Sequence, residues 1–246
     1  MVKHAPGELS GIAAIADRQM KRWALGLQTE QRLAPERALE RLPADVRPYV
    51  AISRESGAGG GDVGRLVAER LGCECLDNRL LTYMAEHYGL PEGLLNLVDE
   101  RTSSWLQEIF RLWLDRRSIT PDQYLMNLGQ LVILAARQGS AVFVGRGIQF
   151  LLPRERGLAV RIIAPLEQRL ARTMERRSLA REDAARLVRE TDEGRTFLIR
   201  RHFNADVADP HLYDLLVNLE HVDREMAADL IADAFHRRFP AVVVER

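Results

Sequence analysis

Nine consecutive residues of this chain have the types and spacing needed to hold phosphate: Arg54-Glu55-Ser56-Gly57-Ala58-Gly59-Gly60-Gly61-Asp62. They follow a short apolar run, Tyr49–Ser53, and lead into an amphipathic stretch, Asp62–Leu71, that Gly72 stops. Strand, glycine turn and helix in that order gather backbone N–H groups at the positive end of a helix dipole, and the glycines let an anion approach the backbone closely. Ser56, Gly57, Ala58, Gly59, Gly60 and Gly61 are the candidate cradle. Two nucleotide readings compete for it, beside the bland one of a merely tight turn. Gly59-Gly60-Gly61-Asp62-Val63-Gly64 fits the dinucleotide fingerprint G-x-G-x-x-G, and Asp77, 18 residues past Gly59, stands where an acid would meet a ribose. The other reading is a mononucleotide P-loop over Arg54–Asp62. Spacing favours the P-loop: five residues separate Ser53 from Gly59, whereas a dinucleotide fold turns almost at once. Residues 78–138 also read as helical where that fold needs its third strand.

The P-loop pattern G-x-x-x-x-G-K-[ST] is broken in a telling way. Gly60 stands in the place of the lysine that reaches the terminal phosphates, and Asp62 comes one residue past the place of the magnesium-binding hydroxyl, which Gly61 fills. The chain has lysine only at positions 3 and 21, so the missing charge must come from arginine, metal or backbone. Asp62 has two roles open to it, a Mg²⁺ ligand or an acid complementing the helix dipole. Arg169, Arg172, Arg176, Arg177, Arg181, Arg189 and Arg195 fall on one helical region, Glu167–His202, where fixed guanidinium groups could hold the spreading charge of a transferred phosphoryl group. Interleaved Glu and Asp residues offer a plainer role, pairing on a solvated face. Arg146 directly follows a fully apolar strand at its carboxyl end, where ligands of parallel sheets bind.

The elements that must position these residues are short and regular. Apolar runs 49–53, 73–76, 141–145, 158–164 and 214–219 read as five strands separated by helices, which predicts an α/β domain with a parallel sheet in three layers. Residues 11–33 and 35–42 read as helical, and Pro43 and Pro48 mark a linker, so residues 1–47 form an extension ahead of a domain at 48–246. Within that domain, helical residues 78–138 form an insertion and residues 167–204 a lid. The extension packs on the domain or serves as a surface for a homodimer or protein partner. The 246 residues carry 35 Lys+Arg against 35 Asp+Glu, a balance that argues against a mainly electrostatic nucleic-acid binder. No run approaches the roughly 20 apolar residues of a membrane span. Cys73 and Cys75 sit too close together to staple a domain and read as reduced thiols of a soluble, cytoplasmic protein.

Taken together, Ile52–Gly60, Val144-Gly145-Arg146-Gly147, Arg161–Glu167 and Leu212–Asn218 resemble the cytidylate kinase-like family, relatives of bacterial cytidylate kinases, over about Tyr49 to Phe239. The resemblance implies a P-loop fold, nucleotide substrates, ATP and Mg²⁺ as cofactors, and direct in-line transfer of the γ-phosphoryl group to CMP, dCMP or a related acceptor. Members of the family characteristically lack the P-loop lysine. Residue by residue, the resemblance makes Ser56, Gly57, Gly59, Gly60 and Gly61 the phosphate loop, and puts Asp77 and Asn78 beside the acceptor nucleotide. It makes Arg146 the arginine of a Gly-Arg-Asp motif that contacts CMP, Arg169 a lid arginine, and Asp192 and Arg195 an acceptor-side Asp-x-x-Arg. Gly147 replaces the aspartate that helps read cytosine. A catalytically inactive nucleotide-binding regulator is the alternative that Gly60 and Gly147 keep open.

Overall fold

Parallel strands buried on both faces need side chains that are apolar at nearly every position, and the central strands of this protein meet that need. In the computed structural model, which describes residues 11–22, 46–77, 80–81, 83–84, 121–145 and 147–240 (121–128 and 130 as backbone alone), Ala141, Val142, Phe143 and Val144 are each at most 4% exposed. The elements run β1 (Tyr49–Arg54), α1 (Gly60–Leu71), β2 (Glu74–Asp77), α2 (Pro121–Gln138), β3 (Ala141–Val144), β4 (Gly157–Ile163), α3 (Leu166–Arg177), α4 (Arg181–Phe203), β5 (Leu215–Asn218) and α5 (Arg224–Arg238).

The five strands form one parallel sheet in the order β2-β3-β1-β4-β5. That order settles one competition left by the sequence. In a dinucleotide fold the second strand lies beside the first, whereas here β3 lies between β1 and β2, with Ile52 opposite Val144 and Asp77 opposite Val144 from the other side. The dinucleotide reading therefore fails on topology.

The chain divides into two compact units, residues 1–47 with 78–139, and residues 48–77 with 140–246. In the first unit residues 11–22 are helical, and α2 buries Leu131, Val132, Leu134 and Ala136. The Arg47 N–H donates to the Ala136 carbonyl at 2.7 Å. The helices expected over 23–33, 35–42, 92–98 and 103–116 lie outside the described residues, as does most of the one expected over 78–88.

The second unit holds the sheet. Val50, Ile52, Val142, Val144, Val160 and Ile162 face α1 and α5, whose Val63, Val67, Ile231 and Phe235 complete the core. Burying a side chain such as Phe235 contributes roughly 1.5–3 kcal/mol. Gly72 ends α1 in the left-handed conformation, φ 62°, and the Asp223 carboxylate caps α5 by accepting the Met226 N–H at 2.8 Å. The arginine-rich helical region is a pair of helices. Ser178 at φ 52° ends α3, and α4 restarts at Arg181. Among the described residues no helix is long and apolar enough to cross a membrane.

Candidate phosphate-binding site

The carboxyl ends of β1, β2, β3 and β4 gather the candidate residues. Between β1 and α1 the backbone turns through Gly57 at φ 77° and Gly59 at φ 96°, conformations that a residue with a Cβ resists. Gly57 is also pinned by space, since a Cβ there would stand 2.5 Å from the Arg169 carbonyl oxygen and 2.8 Å from Thr173 Oγ1. The loop thus lies directly against the backbone of α3. Gly59 is the N-cap of α1, and its carbonyl accepts the N–H groups of Asp62 at 3.0 Å and Val63 at 3.2 Å. The N–H groups of Gly60 and Gly61, in the first turn, have no acceptor within the helix and lie at its positive end.

Three guanidinium groups hold the loop from outside through alternate carbonyls. Arg195 Nη1 donates to Arg54 O at 3.0 Å, Arg169 Nη1 to Ser56 O at 3.2 Å, and Arg172 Nη1 to Ala58 O at 2.7 Å. Asp192 of α4 ties two of them together. Its Oδ1 accepts the Ser56 N–H at 2.7 Å and Arg195 Nη1 at 3.2 Å, and its Oδ2 accepts Arg169 Nη1 at 2.6 Å. Arg169 Nε is buried without a hydrogen bond, 3.6 Å from Glu55 Oε2, which itself accepts the Ala164 N–H at 3.2 Å. The arrangement is an acid embraced by a backbone N–H and two guanidinium groups at the rim of a glycine loop. A phosphate oxygen makes the same kinds of bonds.

A second group of cations surrounds the start of α1. The Asp62 carboxylate, in a residue only 9% exposed, accepts Arg176 Nη2 at 2.7 Å on each oxygen and Arg224 Nη1 at 3.1 Å, and it is also bonded by Arg65. Arg172 lies beside them, its pKa lowered first by burial and then by the neighbouring charges of Arg224 and Arg176, with Asp62 opposing. Positive charge here exceeds what one aspartate neutralises, which favours an incoming anion. As a Mg²⁺ ligand Asp62 does not fit, because three guanidinium groups already occupy its carboxylate. Among the described residues no group of three His, Cys, Asp or Glu side chains could hold a metal ion.

Behind the loop, Arg161 of β4 is 8% exposed, and among the described residues no carboxylate pairs with it. Its Nη1 donates to Ser53 Oγ at 3.0 Å, and its guanidinium lies 5.7 Å from the centre of the Tyr213 ring. Tyr213 in turn donates to Val207 O at 2.8 Å. Asp77 ends β2 beside β3, at the same edge of the sheet. Asn78 and Arg146 lie outside the described residues. Gly147 is described, at φ 68°, and a Cβ there would stand 2.8 Å from Ile199 Cδ1 and 2.9 Å from a ring carbon of Phe203. An aspartate at this place would have to push aside the side-chain ends of Ile199 and Phe203 and hold a left-handed backbone. Cys73 and Cys75 are free thiols whose pKa values are each pushed up to about 12, chiefly by burial, so both are protonated at neutral pH.

The structure therefore brings together Arg54, the 56–61 loop, Asp62, Arg169, Asp192 and Arg195. The sequence reading left Glu55, Arg161 and Arg224 without roles. Arg224 carried one signal, since a cation in the first turn of a helix opposes the dipole and needs a nearby acid.

Among curated proteins none matches. A solved structure of an uncharacterized protein from Eubacterium ventriosum superposes with a TM-score of 0.64 at 21% identity, over 78% of this chain and 99% of that one. Shikimate kinases from Acinetobacter baumannii (TM-score 0.38, 19% identity, 81% of this chain and 97% of that one) and Bacteroides thetaiotaomicron (0.41, 11%, 77% and 97%) also align. A model of the cytidylate kinase-like family matches residues 49–221, well over half of the sequence. With the loop, the strand order and that match in agreement, the chain belongs to the cytidylate kinase-like family.

Proposed function

We propose that this protein is an ATP-dependent phosphotransferase that moves the γ-phosphoryl group of ATP to a nucleoside monophosphate, CMP or dCMP or a related acceptor. The observation that carries the reading is the convergence of Arg169 and Arg195 on one carboxylate, Asp192, at the lip of the glycine loop. In-line phosphoryl transfer asks little covalent chemistry of a protein. It asks for fixed cations around the equatorial oxygens and for alignment of the attacking and leaving oxygens. Here the loop N–H groups hold the β-phosphate, and Arg169 and Arg195 exchange the Asp192 carboxylate for oxygens of the moving group. An oxygen of the acceptor's phosphate forms the new bond to the γ-phosphorus as the bond to the β–γ bridging oxygen breaks, and ADP leaves. Mg²⁺, carried on the nucleotide's own phosphate oxygens, would supply further charge neutralisation. Cytoplasmic nucleotides are the natural substrates of such a site.

Crowding at Gly147 bears on the acceptor. With Ile199 and Phe203 filling the place of an aspartate, a base must be read by other groups. The test is coupled ADP production with CMP, dCMP, UMP, AMP and GMP as acceptors. Turnover with at least one monophosphate is expected, and none with any of them overturns the proposal. A second reading, a nucleotide-binding regulator, is favoured by Gly60 and by Asp192, which already occupies Arg169 and Arg195. Tight ATP binding by calorimetry without turnover would establish it instead.

A further inference from the structure

The loop has no lysine, yet the space beside position 60 is not empty. A Cβ built on Gly60 would stand 2.6 Å from Arg54 Cβ and 3.0 Å from Arg54 Cγ, with Ile162 Cβ at 3.4 Å. Those arginine atoms are the root of the side chain, fixed by the backbone of β1, and cannot swing aside as a side-chain tip would. The far end of the same side chain lies over Gly145, the residue after β3. A Cβ there would run into Arg54 Nη1, with Cζ at 2.9 Å and Nη2 at 3.2 Å. Arg54 therefore crosses from beside the first residue of α1 to the carboxyl end of β3. Its own carbonyl is held by Arg195 at 3.0 Å, which fixes the backbone from which it departs.

In the P-loop pattern the first position is glycine and the seventh lysine. This chain has arginine at the first and glycine at the seventh. One steric fact accounts for both changes: the two positions face each other across a gap that admits one side chain. We propose that the cation of the phosphate loop has been transposed, so that Arg54, rooted at the start of the loop, supplies the charge that binds the terminal phosphates of a nucleoside triphosphate. A guanidinium suits this place because it stays charged and offers paired donors to phosphate oxygens. Gly145 is glycine first because its backbone stands at φ 95°, and its lack of a side chain leaves the space in which the Arg54 guanidinium lies. The proposal rests on the reading that this loop holds a nucleotide's polyphosphate.

The test is calorimetric binding of ATP to the full chain and to four variants, with thermal melts as a check on folding. Arg54→Met keeps the stem and removes the charge; it is expected to weaken ATP binding about ten- to hundred-fold, the size of a lost charge-assisted contact. Arg54→Lys should keep most of the affinity. Gly60→Lys should weaken binding because its Cβ meets Arg54, and Arg54→Gly/Gly60→Lys, which restores the usual arrangement, should bind ATP better than Gly60→Lys alone. Unchanged affinity in Arg54→Met, or a double variant that folds and binds no better than Gly60→Lys, overturns the transposition while leaving the loop a nucleotide site. Absence of ATP binding by the folded wild-type protein overturns the nucleotide reading itself. If the double variant does not fold, the Met and Lys variants decide between them, since equal loss in both would assign Arg54 to packing alone.

Discussion

Two aspartates of this protein make nearly the same bonds at opposite ends of the sheet. Asp192 accepts the Ser56 N–H at 2.7 Å and bonds from Arg169 and Arg195. Asp214, just before β5, accepts the Ala159 N–H at 2.7 Å and is gripped by Arg154, at 3.1 and 3.2 Å, and by Arg238 at 3.1 Å. What differs is what the partners are attached to. Asp214 joins adjacent strands: its own N–H donates to the Ala159 carbonyl at 2.7 Å, so backbone and side chain together close the β4–β5 edge at its amino end. Asp192 joins a helix to a loop that has no strand partner at Ser56, and its two arginines also reach loop carbonyls. A carboxylate between two arginines is thus a strut where it spans paired strands. Where it spans a glycine loop and a helix, it holds cations in place for another anion.

The largest effect should separate the arginines. Arg195→Ala is expected to lower turnover about 10²-fold, in the range for removing one preorganised donor to a transition state, with little change in melting temperature because the side chain is partly exposed. Arg154→Ala, at the other end, should leave turnover unchanged. Steady-state kinetics on the two variants decides the matter, and equal losses of activity in both would erase the distinction. The aspartates should separate in the opposite sense. Asp214→Ala strands the Ala159 N–H and two guanidinium groups and should cost about 1–3 kcal/mol, read as a drop of roughly 2–4 °C in melting temperature per kcal/mol. Asp192→Ala also strands an N–H and two guanidinium groups, but between a loop and a helix rather than between paired strands, and should cost less than Asp214→Ala. If Asp192→Ala proved the less stable of the two, Asp192 would be the strut.

The two ends were unequally legible in the sequence. The strands could be read because β3 and β4 are apolar at almost every position, and α1 because a glycine nest precedes an amphipathic stretch ended by Gly72. The break at Ser178 carries no glycine or proline to announce it, so the lid read as a helical pair without a boundary between its helices. The P-loop was visible as a composition and its lost lysine as a substitution. The position of Arg54 was not, because nothing in a linear string says that residues 54 and 60 compete for the same volume. Asp62 shows the same limit. Its place in the motif suggested a metal ligand, and only the fold shows Arg176 and Arg224 arriving from two distant helices. Asp214 stood within a recognised segment, yet its strand-closing bond to Ala159 depends on the β4–β5 register, which periodicity leaves open.

The smallest effect is one of pH, and it sharpens the contrast from the structural side. Burial, the largest single influence on Asp214, raises its pKa, but the Ala159 N–H together with Arg154 and Arg238 outweighs it, so the folded-state value lies below the usual carboxylate range. An unfolded Asp titrates near about 3.9. A carboxyl depressed on folding binds protons less readily in the native state, so its contribution is complete above the unfolded value and is lost as pH falls through the folded one. Asp214→Asn cannot follow that course, because an amide carries no charge to lose. The melting-temperature gap between wild type and Asp214→Asn should therefore be constant from neutral pH down to about 5 and should narrow below about 4. Thermal melts across that range give the answer. A gap that stays constant into strong acid would mean that the carboxylate's charge contributes nothing to the edge it closes, and Asp214 would then act through its shape and hydrogen bonds alone.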